Sequence, residues 1–194
     1  MPKRVNEVPG AAGPLAEDFR STMRRVATTV TLLSTAWQGE RFGMTATSVT
    51  SVSFEPPSLL AIVKHTASIH RPLLAAGRFC VNVLFRGQRE FCDAFSGQVE
   101  AKDRFQIGDW VDNDGIPYLR DAQANVFCAV DRTLPYGTHS IVIGRVLDAR
   151  SKLEVSPLLY LDGLAQNLPS DLTPNNGSSK PRAASGATTG SGAR

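Results

Sequence analysis

Only three cysteines occur in the 194 residues, Cys80, Cys92 and Cys128. They are odd in number, widely spaced and set among apolar neighbours, which suits reduced core thiols and speaks against a disulfide framework. Long hydrophobic runs are missing too. LLAIV at 59–63 is about as long as they become, well short of the roughly 20 residues a membrane helix needs. The opening MPKRVNEVPG has no apolar segment of the signal-peptide kind. The expectation is a soluble, cytoplasmic protein with no membrane partner. Neither G-x-G-x-x-G after a strand nor G-x-x-x-x-G-K-[ST] is present, so no Rossmann dinucleotide site and no P-loop is written here. A G-x-S-x-G nucleophile elbow is absent as well. His65 and His70 stand five apart without a supporting cysteine or carboxylate pattern, and no metal site is expected. The 18 acidic residues are scattered, and no catalytic carboxylate pair can be picked out.

A surplus of one charge is also lacking where it would count. The net charge is +3, but residues 1–14 carry +1 and residues 169–194 carry +2, leaving 15–168 with 16 basic and 16 acidic side chains. A nucleic-acid surface needs a basic stripe on the folded part, and none is visible. Arg71, Arg78, Arg86 and Arg89 flank expected helices and loops and read as a solvated surface.

What is present is an ordinary globular composition, 42% hydrophobic and 20% charged, enough for one domain with a sizeable core. From Pro169 onward the chain is almost entirely Gly, Pro, Ser, Thr, Ala and Asn, which cannot bury enough apolar surface to offset its ordering entropy. Three parts follow: a flexible N-terminus at 1–14, a folded domain at 15–168 and a disordered tail at 169–194. LAEDFRSTMRR (15–25) has apolar positions at helical spacing. TTVTLLSTAW (28–37) and the returning RFGMTATSV form a hairpin pattern around Gln38-Gly39, and further strands are expected at 58–64, 79–85, 124–134 and 139–149. Two short helices interrupt them, ASIHRPLLAAG, closed by Gly77, and GQREFCDAF, whose Phe91 and Phe95 have core spacing. Strands in succession with few helices between them argue for an antiparallel barrel. Asn82, a polar residue inside FCVNVLF, is expected to order a neighbouring loop.

The most unusual stretch is GMTATSVTSVSFEPP at 43–57. Thr45, Thr47, Ser48, Thr50, Ser51 and Ser53 are six hydroxyls in a segment without Lys or Arg. If they hold an anion, they do so with neutral O–H and backbone N–H donors. Composition alone fits equally well a strand whose solvent face carries Ser and Thr. Pro56 and Pro57 fix extended backbone and withhold two N–H groups, which favours a loop at a sheet edge, and such loops are where scaffolds bind ligands.

Together with GRFCVNVLFRGQREFCDAFSG, YGTHSIVIGRV and PLLYLDGLAQNL, that stretch resembles the flavin reductase-like domain family, in the family's motif order from about Phe19 to Leu168. The resemblance implies a mainly β fold, a split β-barrel with Greek-key arrangement of the FMN-binding type and a few short helices, assembled as a homodimer. It implies an NAD(P)H:flavin oxidoreductase passing a hydride from NADH or NADPH to FMN or FAD, and delivering reduced flavin to a partner monooxygenase. By the same resemblance the flavin ring lies against Thr45, Ala46, Thr47 and Ser48, with its ribityl and phosphate groups near Ser51, Val52 and Ser53. Lys64 and Ser68 then complete the phosphate end, His139 meets the nicotinamide as the catalytic residue, and Tyr160 and Gly163 close over the flavin. Thr138 and Leu164 depart from the family pattern and leave nucleotide preference and a ring contact open. Two other readings stay beside it, a flavin-binding module without reductase turnover and a split-barrel oxidase that ignores NADH. Hydride transfer is intrinsic to the two cofactors, which agrees with the lack of a nucleophile or acid–base pair. Without an arginine fork, flavin affinity is expected to be micromolar, about 8 kcal/mol, as suits a diffusible substrate.

Overall fold

The computed structural model describes residues 13–168. Most of the expected flexible N-terminus and all of the expected tail lie outside the described residues. Helix α1 (Pro14–Met23) follows Gly13 and has its proline in the first turn, where the missing N–H costs no helical hydrogen bond. Its apolar positions Leu15, Phe19 and Met23 are exposed.

The remaining elements are largely strands. β1 (Thr28–Thr29), β2 (Thr31–Trp37), β3 (Glu40–Ala46), β4 (Val49–Phe54) and β5 (Pro57–Lys64) precede α2 (His70–Ala76) and β6 (Arg78–Val83). Then come α3 (Arg89–Asp93), continued by a wider helical turn at Ala94–Gln98, and a single 3₁₀ turn at Arg104–Gln106. The chain finishes with β7 (Trp110–Asn113), β8 (Ile116–Leu119), β9 (Ala124–Tyr136), β10 (His139–Ser151), β11 (Leu158–Leu161) and β12 (Leu164–Asn167). Seven strands form one antiparallel sheet in the order β3-β2-β6-β9-β10-β5-β4. β3 and β4 are its two edges yet are consecutive in the chain, so the short Thr47–Ser48 turn draws the edges together and curls the sheet into a split barrel. The hairpin expected from 28–37 and 41–49 appears in shorter form, as β2 on β3 over Thr31–Trp37 and Glu40–Ala46, while Thr28–Thr29 pair with β11 instead; the strands expected at 58–64, 79–85, 124–134 and 139–149 and the left-handed Gly77 after α2 appear as well.

Two expectations need correction. Residues 49–54 are not a loop but the edge strand β4, turning at Glu55-Pro56 directly into β5. An edge strand leaves one row of N–H groups unpaired, so prolines at its end cost the sheet no ladder bond. Val52 is the extra residue of a register shift between Ser51 and Ser53. The second difference is two hairpins that strand composition did not suggest, β7–β8 and β11–β12. They turn at Asp114-Gly115 and Asp162-Gly163 with positive φ at both residues, as does Gln38-Gly39 between β2 and β3. Such pairs match the twist of tight hairpins.

The core lies on both faces of β2, whose first five residues are all buried. Leu33 faces the barrel interior with Leu59, Val63, Phe79 and Val142. Leu32 faces an outer layer of Phe91, Phe95, Trp110 and Leu158. Phe95 lies so close to β3 that a Cβ at Gly43 would come within 2.5 Å of its ring, so glycine is what admits the aromatic layer. Asn82 joins the layers. Fully buried, its Nδ2 donates to the Leu32 carbonyl (3.0 Å) and Ser34 Oγ (2.9 Å), and its Oδ1 accepts from the Leu119 N–H (2.8 Å) and Asn125 Nδ2 (3.0 Å). The expected loop-ordering role is therefore the fastening of the end of β8 to β6.

Candidate functional site at the barrel split

The two strand edges part at Thr47–Ser48. Where they part, the Ile62 N–H donates to the Ser48 carbonyl at 3.1 Å. The N–H groups of Thr47 and Ser48 have no backbone partner among the described residues. The six hydroxyls divide in two. Thr45 Oγ1 donates to the Cys92 carbonyl (3.0 Å), and Ser53 Oγ donates to the Glu55 carbonyl (2.9 Å) while accepting that residue's N–H (3.0 Å). The hydroxyls of Thr47, Ser48, Thr50 and Ser51 have no partner among the described residues. Thr31 steadies the strand end by donating to the Ala46 carbonyl at 2.6 Å.

His139 opens β10 directly opposite Lys64, the last residue of β5. Its Nδ1 lies 2.9 Å from Thr138 Oγ1, and the His65 N–H donates to the Thr138 carbonyl at 3.0 Å, which ties the β9–β10 turn to the segment after β5. The ladder thus brings together residues 75 positions apart in the chain. His139, Lys64 and Ile62 line a recess of about 190 Å³ with the Thr45–Ser48 backbone. Lys64 has no ion-pair partner among the described residues, so its charge is available to an anion.

The other expected site residues are divided among neighbouring recesses or lie apart from them. Tyr160 and Gly163 border a second recess of about 370 Å³, which shares Thr45 and Thr47 with the first. Ser51 and Ser53 line an apolar groove of about 660 Å³ that also reaches Thr47. Val52 is half exposed and lines none of these. Ser68 is set apart, in a cleft along the outer half of β3. The residues expected at a phosphate end, Ser51, Ser53, Lys64 and Ser68, therefore do not converge on one pocket, whereas Thr45, Ala46, Thr47, Ser48, Lys64 and His139 do.

Arg89, expected on the solvated surface, also reaches one of the recesses. It is solvent-exposed but lines the recess of Tyr160, held only loosely by Asp93 at 3.9 Å. Its helical spacing to Asp93 was the available signal, and that spacing describes a surface pair equally well. Arg71, Arg78 and Arg86 are dispersed, over the Trp37 ring and against Asp114 and Glu154.

The thiols offer no nucleophile. Burial pushes the Cys128 thiol up to about 12 and raises Cys80 and Cys92 from their ordinary value. His70 is lowered by burial and by the neighbouring His65, whose ring centroid is 5.1 Å away, and its Nε2 lies 2.9 Å from Ser140 Oγ. No group of three or more potential metal ligands occurs among the described residues, and no helix among them is long and apolar enough to cross a membrane.

The family described as "Flavin reductase like domain" matches residues 23–169. The reductase component of an FADH2-dependent resorcinol hydroxylase from a Rhizobium species is 43% identical over 149 residues, 75% of this chain and 83% of that protein. The NADH-dependent FMN reductase RutF of Pseudomonas syringae is 34% identical over 79% of this chain and 86% of its own length. An NADH:FAD oxidoreductase of Streptomyces globisporus, solved with NAD and FAD fragments, superposes with a TM-score of 0.75 at 31% identity, covering 81% of this chain and 94% of that one.

Proposed function

The chain belongs to the flavin reductase-like domain family, and from that premise we propose that it passes a hydride from NADH or NADPH to FMN or FAD and releases the reduced flavin to a partner monooxygenase. The observation that carries this reading is the set of unpaired neutral donors at Thr47–Ser48, facing the Lys64–His139 pair across the barrel split.

These residues fit a flavin. A reduced isoalloxazine gathers negative charge at one edge, and preorganised backbone N–H groups stabilise such charge without reorganising. When bound, the flavin supplies the hydride acceptor and the reduced nicotinamide the donor. The chain's own work is to orient. Thr45 and Ala46, pinned by Cys92 and Thr31, hold the ring-facing backbone rigid, while Thr47 and Ser48 present donors to it. Lys64 offers charge to the ribityl phosphate. His139, fixed by Thr138 and by its place in the ladder, keeps the nicotinamide stacked, and Tyr160 with Gly163 shields the far side from water.

Completion of the site by a second copy of the chain, and a cytoplasmic location for it, belong to the same reading. Supporting the homodimer are the apolar groove beside Ser51 and Ser53 and the exposed Phe54, Leu134 and Tyr136 near the ends of their strands. Exposed apolar patches of this sort mark interfaces.

The test is absorbance at the nicotinamide band with purified protein, NADH and excess FMN or FAD. Turnover is expected with at least one flavin, and its absence with both would overturn the reading. In His139→Ala, the KM for NADH should rise about tenfold while the flavin dissociation constant moves less than about threefold.

A further inference from the structure

The start of β10 is held from one side. Within one chain, residues 131–136 of β9 are all exposed, so the outer end of the β9–β10 hairpin has little core beneath it there. His139 sits at that end, between two residues that are both tied to the segment 65–70, which leads from β5 into α2. Before it, the Thr138 carbonyl accepts the His65 N–H at 3.0 Å. After it, the Ser140 hydroxyl lies 2.9 Å from His70 Nε2. Side chains alternate along a strand, so Ser140 points into the fold and is buried, while His139 lines the recess.

The segment that does the holding is itself seated in the barrel. Ile69, just before His70, and Leu73, one turn after it, are buried in the interior with Phe79 and Val142. Two backbone bonds close the path between β5 and α2, from the Ala67 N–H to the Lys64 carbonyl (3.0 Å) and from the His70 N–H to the Ala67 carbonyl (2.9 Å). The His65 ring packs edge-on against that of His70, with centroids 5.1 Å apart and planes at 66°, and restricts its rotation. His70 supplies the one side-chain bond that Ser140 makes among the described residues. Without the imidazole a buried hydroxyl is left unpaired, and the strand end must move until water satisfies it.

We propose that His70 is a positioning residue for the nicotinamide: through Ser140 it fixes the start of β10, and with it the place of the His139 ring. The proposal rests on the flavin reductase reading. His70 lines no part of the recess and acts only through the strand. A misplacement of about 1 Å at a residue that keeps a ligand stacked is enough to weaken the stacked geometry.

The experiment measures NADH kinetics at saturating flavin, and the flavin dissociation constant, well below the melting transition. The proteins are wild type, His70→Ala, His70→Gln, Ser140→Ala, His139→Ala and the double variant of His70→Ala with His139→Ala. In His70→Ala and in Ser140→Ala the KM for NADH should rise about fivefold, while kcat and the flavin dissociation constant stay within about twofold. His70→Gln, whose amide still reaches Ser140, should keep the KM within about twofold of wild type. Because His70 acts through His139, the double variant should show no more than the roughly tenfold rise of His139→Ala alone. A purely structural role would lower the melting temperature without this pattern. If His70→Ala does not fold, Ser140→Ala and His70→Gln carry the same test. An unchanged KM in Ser140→Ala overturns the proposal, as does an equal weakening of flavin and NADH. So does a KM in His70→Gln as high as in Ser140→Ala, or a multiplied rise of about fiftyfold in the double variant. A wild type that oxidises NADH with neither flavin is a different result: it is the failure of the underlying reading, and the proposal falls with it.

Discussion

Asn82 and the Thr47–Ser48 turn are both polar interruptions of an apolar barrel, and they use their polarity in opposite ways. Every hydrogen-bonding atom of the Asn82 amide faces a partner inside the fold, from Leu32 and Ser34 to Leu119 and Asn125. At Thr47–Ser48 two N–H groups and two hydroxyls face outward, with no partner among the described residues. Buried polar groups are costly unless satisfied, so the first arrangement belongs to stability. The second leaves donors to water or a ligand. Substitutions should separate the two regions accordingly.

The largest effect is expected at Asn82. Asn82→Ala strands the buried Leu119 N–H, takes a partner from Ser34 Oγ and leaves Asn125 Nδ2 with the Leu119 carbonyl alone, and should cost roughly 3 kcal/mol, read as a shift in the urea midpoint. Flavin affinity of the fraction that stays folded should be close to wild type. Next comes Gly43→Ala, which pushes a methyl group into the Phe95 and Phe105 rings. Those rings are wedged against Trp110 and cannot swing aside, so the loss should be about 1–3 kcal/mol.

How much of that division is legible in the sequence follows from what each element depends on. β5 is readable because Leu59, Ala61 and Val63 alternate inward, and Gly77 because a left-handed C-cap favours glycine. β7 and β8 are four residues each and include Pro117, too short and too irregular for a period to emerge, although Asp114-Gly115 marks their turn. β4 reads as a loop from its hydroxyls and terminal prolines, because nothing local states that its neighbour will be β5 on one side and nothing on the other. The site divides in the same manner. The donor run at 45–53 can be seen directly, whereas the Lys64–His139 pairing is a matter of ladder register across 75 residues, and the nearness of Arg89 to Tyr160 depends on how α3 packs beside β12. The family resemblance supplied His139 and Tyr160; composition and spacing did not.

Thr47→Val tests the outward-facing side. The side chain is nearly isosteric, and its hydroxyl has no internal partner to lose. The melting temperature should stay within about 1 °C, because surface changes of this sort fall within roughly 0.5 kcal/mol. The flavin dissociation constant should rise about fivefold, corresponding to one neutral hydrogen bond of about 1 kcal/mol. A large stability loss with unchanged flavin affinity would assign Thr47 to the same class as Asn82 and erase the contrast.

The smallest expected effect is a pH dependence at His70, the first residue of α2, whose Nε2 lies 2.9 Å from the hydroxyl of buried Ser140, the β10 residue next to His139. Its pKa is lowered from 6.5 in the folded protein, by burial first and by His65 second. The folded state therefore resists a proton that the unfolded chain accepts, and the unfolded state binds more protons as pH falls below 6.5. Stability contributed by neutral His70 is complete above pH 6.5 and declines as pH falls through the lowered folded value. The melting temperature of wild type should accordingly drop between pH 7.5 and 5.5 by more than that of His70→Gln, whose amide can still reach Ser140 but does not titrate. Equal drops in the two proteins would mean that the proton is taken up elsewhere and that the Ser140 bond is indifferent to it. A matching change in the KM for NADH over the same pH range, present in wild type and absent in His70→Gln, would show that the strand start carrying His139 feels the protonation of its neighbour.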